Sequence, residues 1–338
     1  MTTDDRVLIG HGSGGKLYRD LVRDVFVTAF ANPVLERLDD AAALAAPGGR
    51  IALTTDAHVV SPREFPGGDI GRLSVSGTVN DLATAAARPL ALAAAFIIEE
   101  GFALADLRRL CASMARTAEE AGVPIVTGDT KVVQRGLADG LYITTTGVGE
   151  IVVDHDVSAA AVREGDAVLL SGSIGDHSAA VLAARGEFHF DLALQSDCAP
   201  LWSLVEGALA AGGTAVRFLR DPTRGGLTSV LAELAESAEL GVEVEEEAVP
   251  VSPPVRALCE LLGYDPFVLA NEGKMVLVVG PEKADDVLAA LRRHPLGVQA
   301  ARIGQITGAH PRRVALRTAF GTRRVLDMPI GELLPRIC

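Results

Sequence analysis

The sequence predicts a two-domain α/β protein, on three observations. Short apolar runs of strand length alternate with longer stretches of helical periodicity. The alternation lapses over 152–160 and starts afresh from Gly165. The chain also has 338 residues, enough for two separately buried cores. With 49% hydrophobic residues but only 4% aromatic ones, those cores must be mostly Ala, Leu and Val. The expected division is an N-terminal domain over 1–152, a C-terminal domain over 153–328, and a flexible tail over 329–338.

In the first half, Arg6 to Ile9 reads as a short strand running into Gly10-His-Gly-Ser-Gly-Gly15-Lys16. Leu17, Leu21, Val22, Val25, Phe26 and Ala29 then recur at helical spacing. The glycine stretch fits two phosphate-loop patterns at once, with Leu17 where a P-loop needs a hydroxyl, so it specifies neither. What it supplies physically is flexible backbone N–H groups beside one Lys, suited to wrapping a phosphate or to forming a mobile loop. Asp39-Asp40 follow a linker containing Pro33. A strand over 51–55 ends at Asp56. A helix over 71–87 carries Asn80-Asp81. A strand over 89–98 leads to a helix over 103–121. A buried strand from Pro124 runs through Gly128-Asp129-Thr130-Lys131, and a Thr-rich strand spans 141–150. An Asp or Asn is thus delivered four times by an apolar element. Hard oxygen ligands suit Mg²⁺ bridged to substrate phosphates, while each acid taken singly also suits a turn or cap.

In the second half, a strand over 167–171 meets Gly172-Ser-Ile-Gly175-Asp176-His177, which opens a helix through Ala184. A strand over 214–219 precedes Asp221-Pro-Thr-Arg-Gly225-Gly226, a tight turn with free amides at a helix start. A strand over 241–249, a helix over 255–262, a strand over 275–280, a helix over 282–293 and closing strands over 300–326 complete the domain. Glu272, in Asn271-Glu272-Gly273-Lys274 between two strand-like runs, is a candidate for burial, which would raise its pKa and suit it to proton abstraction.

The final stretch, Met328 to Cys338, contains Pro329 and Pro335, which exclude a continuous helix and favour an extended arm. An exposed thiol is a liability in most soluble proteins. A terminal Cys338 therefore reads either as incidental or as a thiol on a tether. The net charge of −13 argues against nucleic acid or an anionic membrane surface as partner. No run is clean enough to span a bilayer, and the polar N-terminus is no signal peptide. Cys111, Cys198, Cys259 and Cys338 show no paired spacing, which points to a reducing cytoplasm and away from zinc. Lysine occurs only at 16, 131, 274 and 283, against arginine nearly everywhere else.

Taken together, Asp39-Asp40-Ala, Thr-Thr-Asp56, Asn80-Asp81-Leu, Gly128-Asp129-Thr-Lys131, Gly175-Asp176-His177, Asp221-Pro-Thr-Arg-Gly-Gly226, Asn271-Glu272-Gly273 and Pro335-Arg-Ile-Cys338 resemble the hydrogenase maturation factor HypE family. The resemblance runs in order along essentially the whole chain. It implies the two-domain PurM-like architecture of the aminoimidazole ribonucleotide synthetase-like superfamily, with an ATP-binding N-terminal domain and homodimers built through the N-terminal sheets. It also implies a function. The partner carbamoyltransferase HypF loads a carbamoyl group onto the terminal thiol. ATP then drives dehydration of that S-carboxamide to a thiocyanate, and the cyanide passes to iron on the HypC–HypD complex for [NiFe]-hydrogenase.

On this resemblance Cys338 is the covalent carrier, Glu272 the proton acceptor, and Lys131 a cation for the transferred group. Gly12, Gly14, Gly15, Lys16, Asp56, Asn80 and Asp129 would bind the nucleotide, and Asp39, Asp40 and Asp81 the magnesium. The tail is expected to alternate between docked and extended states, ATP favouring the docked one. A small-molecule kinase or synthetase of the same superfamily would not need Cys338. A non-catalytic scaffold would not need Glu272, Lys131 and the acid series together.

Overall fold

Two sheets, each with helices against it, account for most of the chain in a computed structural model that describes residues 6–12, 15–38, 42, 44–45, 47–186, 193–329 and 334–338. In chain order the elements of the first half are α1 (Gly15–Leu21), a π-helical stretch Val22–Val27, α2 (Thr28–Phe30), β1 (Ile51–His58), the hairpin β2 (Glu64–Phe65) and β3 (Gly68–Asp69), α3 (Ile70–Thr84), β4 (Ala87–Glu99), α4 (Leu104–Ala121), β5 (Ile125–Val133) and β6 (Leu141–Ile151). Their sheet has the order β1-β6-β4-β5, antiparallel except for the parallel β4/β5 pair, which α4 connects.

The second half comprises β7 (Ala167–Leu170), α5 (Asp176–Ala184), α6 (Trp202–Gly212), β8 (Val216–Arg220), α7 (Gly226–Ala238), β9 (Gly241–Glu245), α8 (Pro253–Leu262), β10 (Val276–Val279), α9 (Ala284–Arg293), β11 (Ala301–Thr307), β12 (Val314–Arg317) and β13 (Arg323–Leu326). These strands form one mixed seven-stranded sheet of order β13-β12-β9-β11-β7-β10-β8. Its central strands β7 and β10 are buried along their whole length, as unbroken Ala-Val-Leu-Leu and Val-Leu-Val-Val runs require.

Local chemistry explains the boundaries. Asp69 caps α3 by accepting from Arg72 N at 2.9 Å. Gly122 ends α4 in the left-handed conformation, and Gly263 does the same for α8. The helix α3 is nearly all buried because it runs between the first sheet, α4 and α6. Four expectations differ from the structure. Arg6 makes only an isolated bridge to Ala103, and Ile9–Gly12 is a 3₁₀ turn rather than the end of a strand. The strand from Gly241 stops at Glu245, where the acidic run turns into a 3₁₀ helix. The strand-like run before Glu272 is a 3₁₀ turn over Pro266–Val268. Helix α6 was not expected: it buries Trp202, Leu204, Val205, Ala208 and Leu209 on one face, but it has no side-chain cap and carries Gly207 in its middle.

One face of the first sheet is left open. Ile51, Leu53 and Ile97 project from it, Leu53 at 72% exposure. The other face holds Leu73, Leu110 and Ile143 in the shared core. Leu110→Ala is expected to destabilise the protein by about 2–5 kcal/mol. Leu261→Ala, at a 69% exposed position, should change stability by less than about 0.5 kcal/mol. Denaturant titration of the two variants checks the contrast.

Candidate active site

Strand β1 and helix α3 present one group of polar side chains at the junction of the two sheets. In β1, alternation puts Thr54, Asp56 and His58 on the face towards α3, where Asp56 and His58 lie close against Gly77. Thr54 donates to Asp81 Oδ2 at 2.8 Å. Asn80, one residue before Asp81, is wholly occupied by protein. Its amide donates to the carbonyls of Ala199 (3.1 Å) and Glu272 (3.2 Å), and its Oδ1 accepts from Leu201 N at 2.8 Å. It stitches the first domain to the loop that carries Glu272.

That loop is fixed from the other side too. Asp197 accepts from the amides of Glu272 (3.1 Å) and Gly273 (3.2 Å) and pairs with Lys274 at 3.3 Å. A Cβ at Gly273 would lie 1.8 Å from Asp197 O, so only glycine fits there. Asn271 Nδ2 donates to Pro222 O at 2.8 Å, bringing the turn after β8 alongside.

The result is an assembly of carboxylates from both domains. Glu272 is 4% exposed, and its Oε1 has no hydrogen-bond partner. Burial, and then the neighbouring charges of Asp221, Asp197, Asp56 and Asp81, push its pKa well above the ordinary carboxylate value. Burial and Asp81 push Asp221 up to about 7. Asp56 and Asp81 are raised mainly by burial and are held down in part by the positive charge of Arg224. His58 falls to about 4, because burial excludes its charged form. A set of acids of this kind can accept a proton near neutrality and can also attract a cation. Among the described residues no three His, Cys, Asp or Glu side chains form a finished metal cage. Magnesium does not need one, since it usually takes one or two carboxylates together with substrate phosphates and water.

The end of the chain is docked at this junction. Cys338 O accepts from Val59 N and Arg336 O accepts from Ser61 N, both at 3.1 Å, so the last residues lie along the segment after β1 like an added strand. Arg336 Nε donates to Val59 O at 2.8 Å, and its Nη1 pairs with Asp139 at 2.6 Å. Ile337 is buried, and its carbonyl lies 2.7 Å from His177 Nε2. A carbonyl only accepts, so Nε2 carries the proton, and Nδ1 at 2.8 Å must accept from the Ser196 hydroxyl. Cys338 and Arg224 line a common cavity of about 450 Å³.

Two family models cover most of the chain: the AIR synthase related protein N-terminal domain over residues 38–151 and its C-terminal domain over 163–316. The carbamoyl dehydratase HypE of Rhizobium leguminosarum bv. viciae is 51% identical, covering 98% of this chain and 95% of that protein. The chain belongs to the HypE family. A crystal structure of hydrogenase maturation protein HypE in complex with ATP matches with a TM-score of 0.94 at 46% identity, covering 98% of this chain and 99% of that one. A HypE–HypF complex matches with a TM-score of 0.81 at 46% identity, covering 91% and 99%. Thiamine-monophosphate kinase from Stenotrophomonas maltophilia, 18% identical with a TM-score of 0.63 over 96% of this chain, shares the fold alone.

Within this HypE chain the expected site residues fall into separate groups. Asp56, Asp81 and Glu272 come together at the junction with the docked tail. Asp129 and Lys131 do not join them. Thr130 is buried, so alternation along β5 turns Asp129 and Lys131 to the opposite, open face, where they pair with each other at 2.7 Å. Lys16 opens α1 beside Gly15, is bonded to Asp20, and lines a cavity of about 1110 Å³ with Arg19, Arg23 and Asp129. Gly12 packs against the edge of β5, where a Cβ would lie 2.4 Å from Val132 N. Gly14, Asp39 and Asp40 lie outside the described residues.

Sequence reasoning missed the tail-binding role of His177 and of the segment after β1. It also missed Asp221 and Arg224 as members of the junction. Their motifs were visible, but what they face is set by long-range packing.

The raised pKa of Asp221 makes a stability prediction. Its folded value of about 7 lies above the ordinary 3.8, so its contribution is fully present below about pH 4 and is lost as the pH rises through 7. In the nucleotide-free protein, Asp221→Asn should therefore be more stable than the parent at about pH 8, by on the order of a few kcal/mol, and unfold at higher temperature. The advantage should vanish near pH 4. Thermal melts across that range check it.

Proposed function

We propose that this chain is an ATP-dependent carbamoyl dehydratase that converts an S-carboxamide on its own Cys338 to a thiocyanate. The docking of Cys338 at the carboxylate-rich junction carries this reading, together with membership of the HypE family. An amide oxygen is a poor leaving group, and phosphorylation makes it a good one. The carboxamide oxygen attacks the γ-phosphorus of ATP, ADP departs, and one N–H proton is taken up by Glu272. Cleavage of the C–O bond then releases phosphate with its electron pair as the second N–H proton leaves, giving S–C≡N. Positioning and charge neutralisation dominate such transfers.

Glu272 fits the proton acceptor because burial and its acidic neighbours keep its proton affinity high. Asp56 belongs with the nucleotide. Asp81, with Asp39 and Asp40, would hold magnesium, which supplies charge neutralisation at the phosphates. Asn80 supports the Glu272 loop. Lys16, Gly12, Gly14, Gly15 and Asp129 are assigned to nucleotide binding around the sheet edge, with Lys131 beside them.

The ATP-bound HypE structure supports ATP binding, and the HypE–HypF complex supports HypF as a partner; in this reading ATP is the phosphoryl donor and HypF the carbamoyl donor. The HypC–HypD complex follows as the cyanide acceptor. No described helix is long and apolar enough to cross a membrane, which is compatible with action in the cytoplasm. Homodimerisation through the open face of the first sheet would cover Ile51 and Leu53 and bury Asp129 and Lys131 against a second copy. Leu53→Asp, which places a charge in that contact, is expected to convert the dimer to monomer in sedimentation velocity. A parent protein that is itself monomeric would count against the dimer.

The decisive experiment is intact mass of the C-terminal peptide after incubation with HypF, carbamoyl phosphate and Mg–ATP. A carbamoyl adduct on Cys338 that loses one water only as ATP is consumed is the expected result. An unmodified Cys338, with HypF active on a control HypE, would instead favour a kinase or synthetase acting on a small molecule.

A further inference from the structure

The turn between β8 and α7 holds a cation that the scheme above leaves without a task. Arg224 lies on the wall of the 450 Å³ cavity together with Cys338, Val59, Ser178 and Gly225. It is exposed, and among the described residues it has no hydrogen bond or ion-pair partner. Nearby cations are committed elsewhere. Arg336 bonds Val59 O and Asp139, Arg185 bonds Ser61 O and the tail carbonyls, and Arg220 pairs with Glu233 at 2.9 Å. Lys131, the cation first expected at the transferred group, is paired with Asp129 on the open sheet face.

The mount of Arg224 is rigid. Gly226 N donates to Thr223 O at 2.8 Å and Thr223 N to Asp221 O at 3.1 Å. Pro222 O accepts from both the backbone and the side chain of Asn271. Gly225 and Gly226 have φ of 75° and 60°. A Cβ on Gly226 would lie 2.6 Å from the carbonyl oxygens of Phe267 and Leu269. The backbone is thus pinned against the loop that leads to Glu272, while the residue lines the cavity it shares with Cys338. Its charge acts on Asp56, His58 and Asp81, so the cation that shares a cavity with Cys338 is also within electrostatic reach of the carboxylates.

We infer that Arg224 is a further catalytic residue whose guanidinium grips the phosphoryl group as it passes from ATP to the S-carboxamide oxygen on Cys338. The inference rests on the dehydratase reading above. The phosphorylated oxygen is two bonds from Cys338 Sγ, so the transferred group must form within the cavity that Arg224 lines. A guanidinium offers a planar pair of N–H donors to two phosphoryl oxygens, which an ammonium cannot match. The bonds change as already described: O–P forms as P–O to ADP breaks, then C–O breaks as phosphate leaves. Arg224 exchanges no proton in either step and acts only on the charge of the equatorial oxygens.

The test uses full-length protein, loaded with carbamoyl by HypF and carbamoyl phosphate and then given Mg–ATP, with water loss from the C-terminal peptide followed by mass. Arg224→Ala should load like the parent but lose water about 10²–10³-fold more slowly, the usual cost of removing a transition-state donor. Arg224→Lys should be roughly ten-fold slower, since it keeps the charge but not the fork. Free guanidinium should restore part of the rate to Arg224→Ala, and hydrogen exchange over 334–338 should be unchanged in both variants.

An Arg224→Ala rate within about three-fold of the parent overturns the inference. So does a loss that guanidinium fails to rescue while exchange over the tail speeds up, because Arg224 would then only seat the tail. A loss that disappears as the pH is raised also overturns it, since Arg224 would then act only by keeping Asp56 and Asp81 ionised. If the parent protein loads carbamoyl and never loses water, the dehydratase reading itself fails and takes this inference with it.

Discussion

Glu272 is buried with one carboxylate oxygen unpartnered, among Asp221, Asp197, Asp56 and Asp81. Gathering like charges in a poorly solvated junction is unfavourable unless the surrounding structure enforces it. Much of the local hydrogen bonding does so. Asn80 clamps the Glu272 carbonyl to α3, and Asp197 holds the amides of Glu272 and Gly273. Asn271 ties the same loop to the turn after β8. Gly273 and Gly226 allow backbones to approach more closely than any side chain would permit. The strain is electrostatic rather than steric, and it is relieved by a proton, a metal ion or a cationic side chain.

The docked tail draws on the same arrangement. Its Cys338 and Arg336 carbonyls meet the amides of Val59 and Ser61, His177 takes the Ile337 carbonyl, and Arg185 donates to those of Pro335 and Arg336. The side chains of Arg336 and Ile337 add to these main-chain bonds, and Cys338 lines the cavity where Arg224 also lies. Backbone hydrogen bonds contribute only about 1 kcal/mol each, so such an arm can be held and still released. Release is what a carrier of a reactive group needs if it is to meet a transferase and an acceptor in turn.

The two-domain α/β architecture was legible because amphipathic helices and continuous apolar strands carry strong local patterns. Helices α4, α8 and α9 fall close to their expected bounds, with Gly122 and Gly263 marking two of the ends. Helix α6 was not legible in the sequence because it starts without a side-chain cap and carries Gly207 in its middle, both of which weigh against a helix locally. Glu272 and Cys338 could be singled out from their settings in the sequence. His177 and Arg224 could not be given roles, since their motifs say nothing of what they face.

The sequence by itself determined most of the elements and the set of acids available for chemistry, while close approaches such as that of Gly273 to Asp197 belong to the tertiary structure. Strand alternation and register decided which of those acids meet. A shift of one position along β5 sends Asp129 and Lys131 to the open face, while Asp56, by the same rule on β1, points inward to Asp81. Asp129 is lowered by its near neighbour Lys131, but Asp221 and Glu272 are raised by burial and by charges that include Asp56 and Asp81, more than a hundred residues away in the chain. Local sequence cannot encode the raised pair, because the desolvation and Coulomb repulsion around Asp221 and Glu272 come into being only when the two domains close on each other.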